Sequence, residues 1–233
     1  MLNRLFIPPR LIGRTAELQQ ISQILSQDGD FLLVGSSGIG RRTLIHAAAH
    51  QAKARVLEID CLRTTSGSRL LRLLADSLLD AFWQSAELNL IEEWSRAYPI
   101  VLEHRESQRP RLVWHGSAQQ EWIVLQTLLA LPQKLAEWLD CRVVIVFLNF
   151  PHIRSWDRSG TWEDYLRQEI QQQSRVSYAL VSTAPEAAWV QDNQLPVIAL
   201  GPLDDQTMTE WIVPAMAEAG LRFDPDSGAI DLF

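Results

Sequence analysis

Lysine is almost missing from this chain of 233 residues: Lys53 and Lys134 stand against nineteen arginines. Where a fold needs a cation, this one must use a planar guanidinium, which is not interchangeable with an ammonium. Cysteine is equally scarce. Cys61 and Cys141 are too few for a disulfide framework or a cysteine-based metal site, and they suit a reducing cytoplasm, which is the expected location. No apolar run is long enough to span a membrane, and Leu5, Phe6 and Ile7 are broken at once by Pro8 and Pro9. An excess of positive charge is lacking too. The net charge of −7 argues against broad nonspecific nucleic-acid binding, although a local basic patch is compatible with it. His46 and His50 share a helix face at i, i+4 but have no third ligand of matching placement, so no metal site is expected. Apolar residues, at 47%, are plentiful enough for one α/β domain with a sizeable core.

Against that background one segment stands out. Phe31-Leu32-Leu33-Val34 is an apolar run of strand length, Gly35-Ser36-Ser37-Gly38-Ile39-Gly40 is a glycine-rich turn, and Arg41-Arg42-Thr43 opens an alanine-rich stretch to Lys53 that reads as a helix. Strand, turn and helix come in the order of the phosphate-binding pattern G-x-x-x-x-G-K-[ST], whose glycines let consecutive N–H groups curl around phosphate. The pattern also wants a lysine and then a hydroxyl that holds Mg²⁺. Arg41 and Arg42 stand at those two positions. Thr43 has a hydroxyl, but one residue further along the helix it turns away by roughly 100°.

A working site of this type also needs a carboxylate at the end of another core strand. The strand that suits is 142–148, followed by Asn149-Phe150-Pro151. Upstream, Arg10-Leu11-Ile12-Gly13-Arg14-Thr15-Ala16-Glu17-Leu18 precedes a helix whose apolar face is Leu18, Ile21 and Ile24, with Thr15 as the expected cap. Together these segments resemble the opening box, phosphate loop and acidic strand of the AAA+ and STAND ATPases. The resemblance covers nearly the whole chain, with a poorly matching middle from about 66 to 140.

What the resemblance implies is specific. The fold would be α/β, a P-loop NTPase with a parallel five-stranded core sheet, helices on both faces, a helical insertion and a truncated lid: residues 1–202 for the α/β part and 203–233 for the start of the lid. Leu11, Ile12 and Gly13 would border the base. In those families the acidic strand typically ends in Asp-Glu-aromatic; here the triplet is Leu148, Asn149 and Phe150. Ser182 or Thr183, at the end of the strand 177–182, would be the polar sensor. A neighbouring register would use Asp60, whose plainer reading is a strand end that caps the following loop. ATP or ADP is the expected ligand and Mg²⁺ has no expected role, because the hydroxyl and the carboxylate that hold it are replaced together.

The middle reads as amphipathic helix over 68–83 and 119–131 with a short strand near 111–116, and as a solvated helical face from Glu92 to Arg109. Trp83, Trp94, Trp114, Trp122 and Trp138 fall there, and an exposed aromatic patch would mark a protein partner's surface. Arg154, Arg158, Arg167 and Arg175 follow the acidic strand, where a subunit of an oligomer could present an arginine to its neighbour. Three functions remain open: a nucleotide-binding regulatory module with little or no hydrolysis, an active ATPase that recruits Asp60, Asp157 or Glu163, and a nucleotide-free interaction scaffold.

Overall fold

The protein is described here by a computed structural model that covers residues 11–104, 109–114, 118–170, 174–184 and 195–218. Along the chain run α1 (Thr15–Ser26), β1 (Phe31–Gly35), α2 (Arg41–Gln51), β2 (Ala54–Asp60), α3 (Gly67–Ala81), α4 (Ser85–Ser95), β3 (Val101–Glu103), β4 (Arg111–Val113), α5 (Ala118–Leu139), β5 (Arg142–Leu148), α6 (Thr161–Glu169), β6 (Val176–Ser182), β7 (Val197–Leu200) and α7 (Asp205–Glu218). Single 3₁₀ turns follow β2 and β5 at Cys61–Arg63 and Phe150–Ser155.

Five strands pair in parallel in the order β2-β5-β6-β1-β7. Every residue of β1 and of β6 is buried, which is the signature of parallel strands covered on both faces. Side chains alternate across the sheet with a period of two. Leu32, Val143, Ile145 and Phe147 enter one core with α3, α4 and α5; Phe31, Leu33, Val144 and Val146 enter the other with α1 and α2. The fold is therefore the parallel five-stranded α/β sheet expected, with helices on both faces.

The helical middle has more parts than its sequence pattern suggests. Besides the helices expected there, α4 occupies the stretch before Arg96, and β3 pairs antiparallel with β4 in a small separate hairpin. Glu87 of α4 is almost fully buried and is held by Arg55 of β2 at 2.6 Å, and within the stretch read as solvated face from Glu92 to Arg109, Trp94, Ser95 and Ile100 are buried. Trp94 is buried, and Trp114 and Trp122 pack against the same core, whereas Trp83 (61%) and Trp138 (47%) are exposed. The expected cap of α1 needs correction. Thr15 is the first helical residue and Arg14 is the N-cap, without a side-chain capping bond. The helix expected at 185–189 lies outside the described residues.

Candidate nucleotide site at the phosphate-loop edge

β1 ends at Gly35 and the chain turns through Ser36 to Gly40 into α2. Gly38 (φ 85°) and Gly40 (φ 93°) lie in the left-handed region that side chains resist, and a Cβ at either would meet nothing within 4 Å. The loop backbone is thus bare on its outer side, which suits close approach of an anion. Gly40 is the N-cap of α2, and no acidic residue stands in the first turn. The positive end of the helix and two arginines coincide there, an arrangement that favours anions and repels cations.

The two arginines go in different directions. Arg41 donates from Nη1 to the carbonyl of Ser182 at 2.6 Å, bridging the loop to the end of β6. Burial lowers its pKa from the ordinary arginine value, although a guanidinium remains protonated. Arg42 makes a two-pronged pair with Glu58 of β2, Nε to Oε2 at 2.7 Å and Nη2 to Oε1 at 2.6 Å. His46 contacts the same carboxylate at 2.9 Å. Burial alone would raise the Glu58 pKa, but hydrogen bonds from His46 and Arg42 outweigh it and hold it below the usual glutamate value. Of the i, i+4 histidines it is His46 that meets a carboxylate, and the described residues contain no cluster of three or more side chains suited to a metal.

Sheet order places the strand-end candidates. β6 lies between β1 and β5, so Leu148 and Asn149 stand two strand spacings, roughly 10 Å, from the loop strand, and Asp60 stands three, roughly 14 Å. Leu148 offers no oxygen from its side chain. Asn149 adopts φ 53° and donates from Nδ2 to Asp60 at 3.0 Å; Asp60 also accepts from the Leu62 amide and so caps the 3₁₀ turn after β2. The other acids are committed as well. Asp157 accepts the amides of Trp162 and Glu163 at the start of α6, while Glu163 is held by Arg154 and Arg167. Arg175 pairs with Asp140. Ser182 is buried, pairs in register with Val34 of β1, and donates its hydroxyl to the carbonyl of Ala184 at 2.5 Å; Thr183 is exposed.

Beside the loop opens a cleft of about 480 Å³. Gly38, Ile39, Gly40 and Thr43 form one wall, Leu11 and Ile12 another, and Pro202, Leu203, Asp205 and Met208 a third. It thus joins the expected base-side residues to the phosphate loop through α7, and it is Thr43, not Arg42, that lines it. Two contacts fasten the walls. Arg14, 8% exposed, donates to the Gly201 carbonyl at 2.6 Å and to Glu17 at 3.0 Å. Gly13 (φ 61°) lies against α7 so closely that a Cβ would stand 2.6 Å from Thr207 and 2.7 Å from Leu203. These contacts span 187 residues of chain between Arg14 and Gly201, which is why sequence pattern alone did not foretell them.

The comparisons with known proteins agree with the fold. The family described as AAA ATPase domain matches residues 10–177. No curated protein matches the sequence. Among solved structures, the Aeropyrum pernix ORC1 protein in complex with DNA superposes with a TM-score of 0.60 at 13% identity, over 94% of this chain and 52% of that one. The A. pernix ORC2 protein in ADPNP–ADP complexes gives 0.57 at 15%, over 93% and 55%. A Walker-type ATPase of Pyrococcus abyssi gives 0.56 at 14%, over 94% and 64%. The chain spans between about half and two thirds of these structures, and at such identities the likeness concerns the fold.

Proposed function

Since the chain belongs to the AAA ATPase domain family, we propose that it works as a nucleotide-binding regulatory module with little or no hydrolysis, in the manner of a pseudo-ATPase. The observation that carries this reading is the division between the two halves of the site. The phosphate loop keeps its bare, left-handed glycines at a helix N-terminus, and the adjoining cleft has apolar walls for a nucleoside. Nucleotide therefore fits. The donor set for a divalent cation does not: a cation, Arg42, stands at the hydroxyl position and is drawn to Glu58, and the strand-end residues are Leu148 and an Asn149 engaged with Asp60. Hard cations of the Mg²⁺ type take oxygen ligands, carboxylates above all; Arg42 and Leu148 supply none, and Asn149 offers an amide oxygen in place of a carboxylate.

In this reading the loop amides and Arg41 take the phosphate charge. Arg41 would exchange the Ser182 carbonyl for phosphate oxygens, its partly buried guanidinium trading a neutral acceptor for a charged one, which makes a stronger bond. Asn149 could hold a water but has no basicity to activate it. The active-ATPase reading loses support because Asp60, Asp157 and Glu163 all have other partners. A scaffold reading draws on exposed Trp83 and Trp138 in the helical middle, a surface for a protein partner. ATP turnover tests the proposal: with Mg²⁺ present, phosphate release should stay at the level of a protein-free control, and turnover above roughly 1 per second, within the ordinary enzyme range, would establish the enzyme reading instead.

A further inference from the structure

Arg42 stands in the first turn of α2, at the helix end that draws anions, yet its guanidinium is turned to a protein carboxylate. Thr43 lines the cleft and Arg42 does not. Both prongs of Arg42 close on Glu58, Nε at 2.7 Å and Nη2 at 2.6 Å. A cation carried by the phosphate-loop helix is thereby held on a neighbouring strand.

The two partners are not equally fixed. The Glu58 side chain is 18% exposed and that of Arg42 47%. Glu58 sits in β2, in register with Val146 of β5, and its amide donates to the Ser77 hydroxyl of α3. The carboxylate is therefore the anchored member and the guanidinium, with water on one side, the member able to turn. Departure of a cation from a largely buried carboxylate is ordinarily costly, because the charge is left uncompensated. His46 removes that obstacle. It lies one helical turn beyond Arg42 on the same face of α2, and its Nε2 is 2.9 Å from Glu58 Oε2. Phosphate, for its part, offers a guanidinium the same two-pronged geometry as a carboxylate.

We infer that Glu58 regulates the phosphate loop as an internal competitor: it withholds Arg42 from the site, and polyphosphate binds more tightly when that hold is loosened. Arg42 then swings from the carboxylate to the phosphate oxygens while His46 keeps Glu58 hydrogen-bonded. The inference rests on the nucleotide reading of the loop and goes beyond it by naming the residue that sets its affinity.

The test is a double-mutant cycle, read by calorimetry of ATP and of inorganic tripolyphosphate binding to the full chain in EDTA. It uses the wild type, Glu58→Gln, Arg42→Ala and the two substitutions together, with Glu58→Asp beside them. Glu58→Gln should bind both ligands about fivefold more tightly, the worth of a half-exposed ion pair. In the Arg42→Ala background the same substitution should gain nothing. Glu58→Asp keeps the charge but draws the carboxylate back by one methylene, so an intermediate gain is expected, and it carries the comparison should Glu58→Gln not fold. A gain of equal size with and without Arg42 would mean that loss of a negative charge acts at a distance or through His46, and it overturns the inference. Absence of any gain overturns it too, and in both cases the phosphate-loop reading stands because the ligands still bind. If neither ligand binds any of these proteins, the nucleotide reading falls and this inference with it.

Discussion

Glu58 carries more of this site's arrangement than any residue of the loop itself. It takes both Arg42 and His46, two of the donors at the start of α2, and its own amide is satisfied by the Ser77 hydroxyl of α3 at 2.7 Å. Because its folded-state pKa is depressed, its stabilising contribution is present above the pKa of an unfolded glutamate and disappears as the pH falls through the lower folded value. Glu58→Gln should therefore destabilise the protein by about 1 kcal/mol at neutral pH, a modest figure because Arg42 is half exposed and screened. The difference from wild type should shrink as the pH is lowered below the usual glutamate range. Urea unfolding across that range checks it; a pH-independent difference would mean that the lost contact is steric rather than ionic. None of this was legible in the sequence. Arg42 and Glu58 lie sixteen positions apart on different elements, and a local reading sees only a cation where a hydroxyl belongs.

At the level of elements, the strands carried their own signal. Continuous apolar runs bounded by turn residues mark β1, β5 and β6, since a strand buried on both faces has no polar side to interrupt the pattern. Helical spacing marks α3 and α5 in the same way. β4 falls within the short strand expected near 111–116, but its partner β3 and the inward face of α4 were illegible, because a three-residue strand has little period to detect and a buried Glu87 looks in sequence like any surface acid. The tryptophans show the same limit: Trp122 and Trp162 meet edge to face at 5.6 Å, as do Trp156 and Trp162, joining α5 and α6 to the turn after β5. Gly67, at the head of α3, lies flat against the Trp162 ring with no room for a Cβ. Gly67→Ala should thus cost about 1–3 kcal/mol by overpacking and lower the Tm by several degrees. A scanning-calorimetry Tm equal to or above wild type would contradict that close contact.

For the whole molecule, sheet order decides what the ends of the strands can do together. The sequence leaves two acidic-strand registers open, and the order β2-β5-β6-β1-β7 sets Asp60 at the edge of the sheet, farthest from the loop on that side. What remains around the loop is one continuous surface from bare glycine backbone through Thr43 to the walls at Leu11, Ile12 and Met208. Under the proposed function, this surface would sense nucleotide rather than consume it. The exposed Trp83 and Trp138 lie on the helical middle, which covers the face of the sheet opposite α2.

The measurement that bears most directly on this account is ATP affinity by isothermal titration calorimetry, with Mg²⁺ and with EDTA, for the wild type and for Arg41→Ala. The account predicts a micromolar Kd for the wild type, on the order of −8 kcal/mol, that is unchanged by EDTA and weakened at least tenfold in the variant. Binding that collapses on removal of Mg²⁺, or no binding at all, would contradict it.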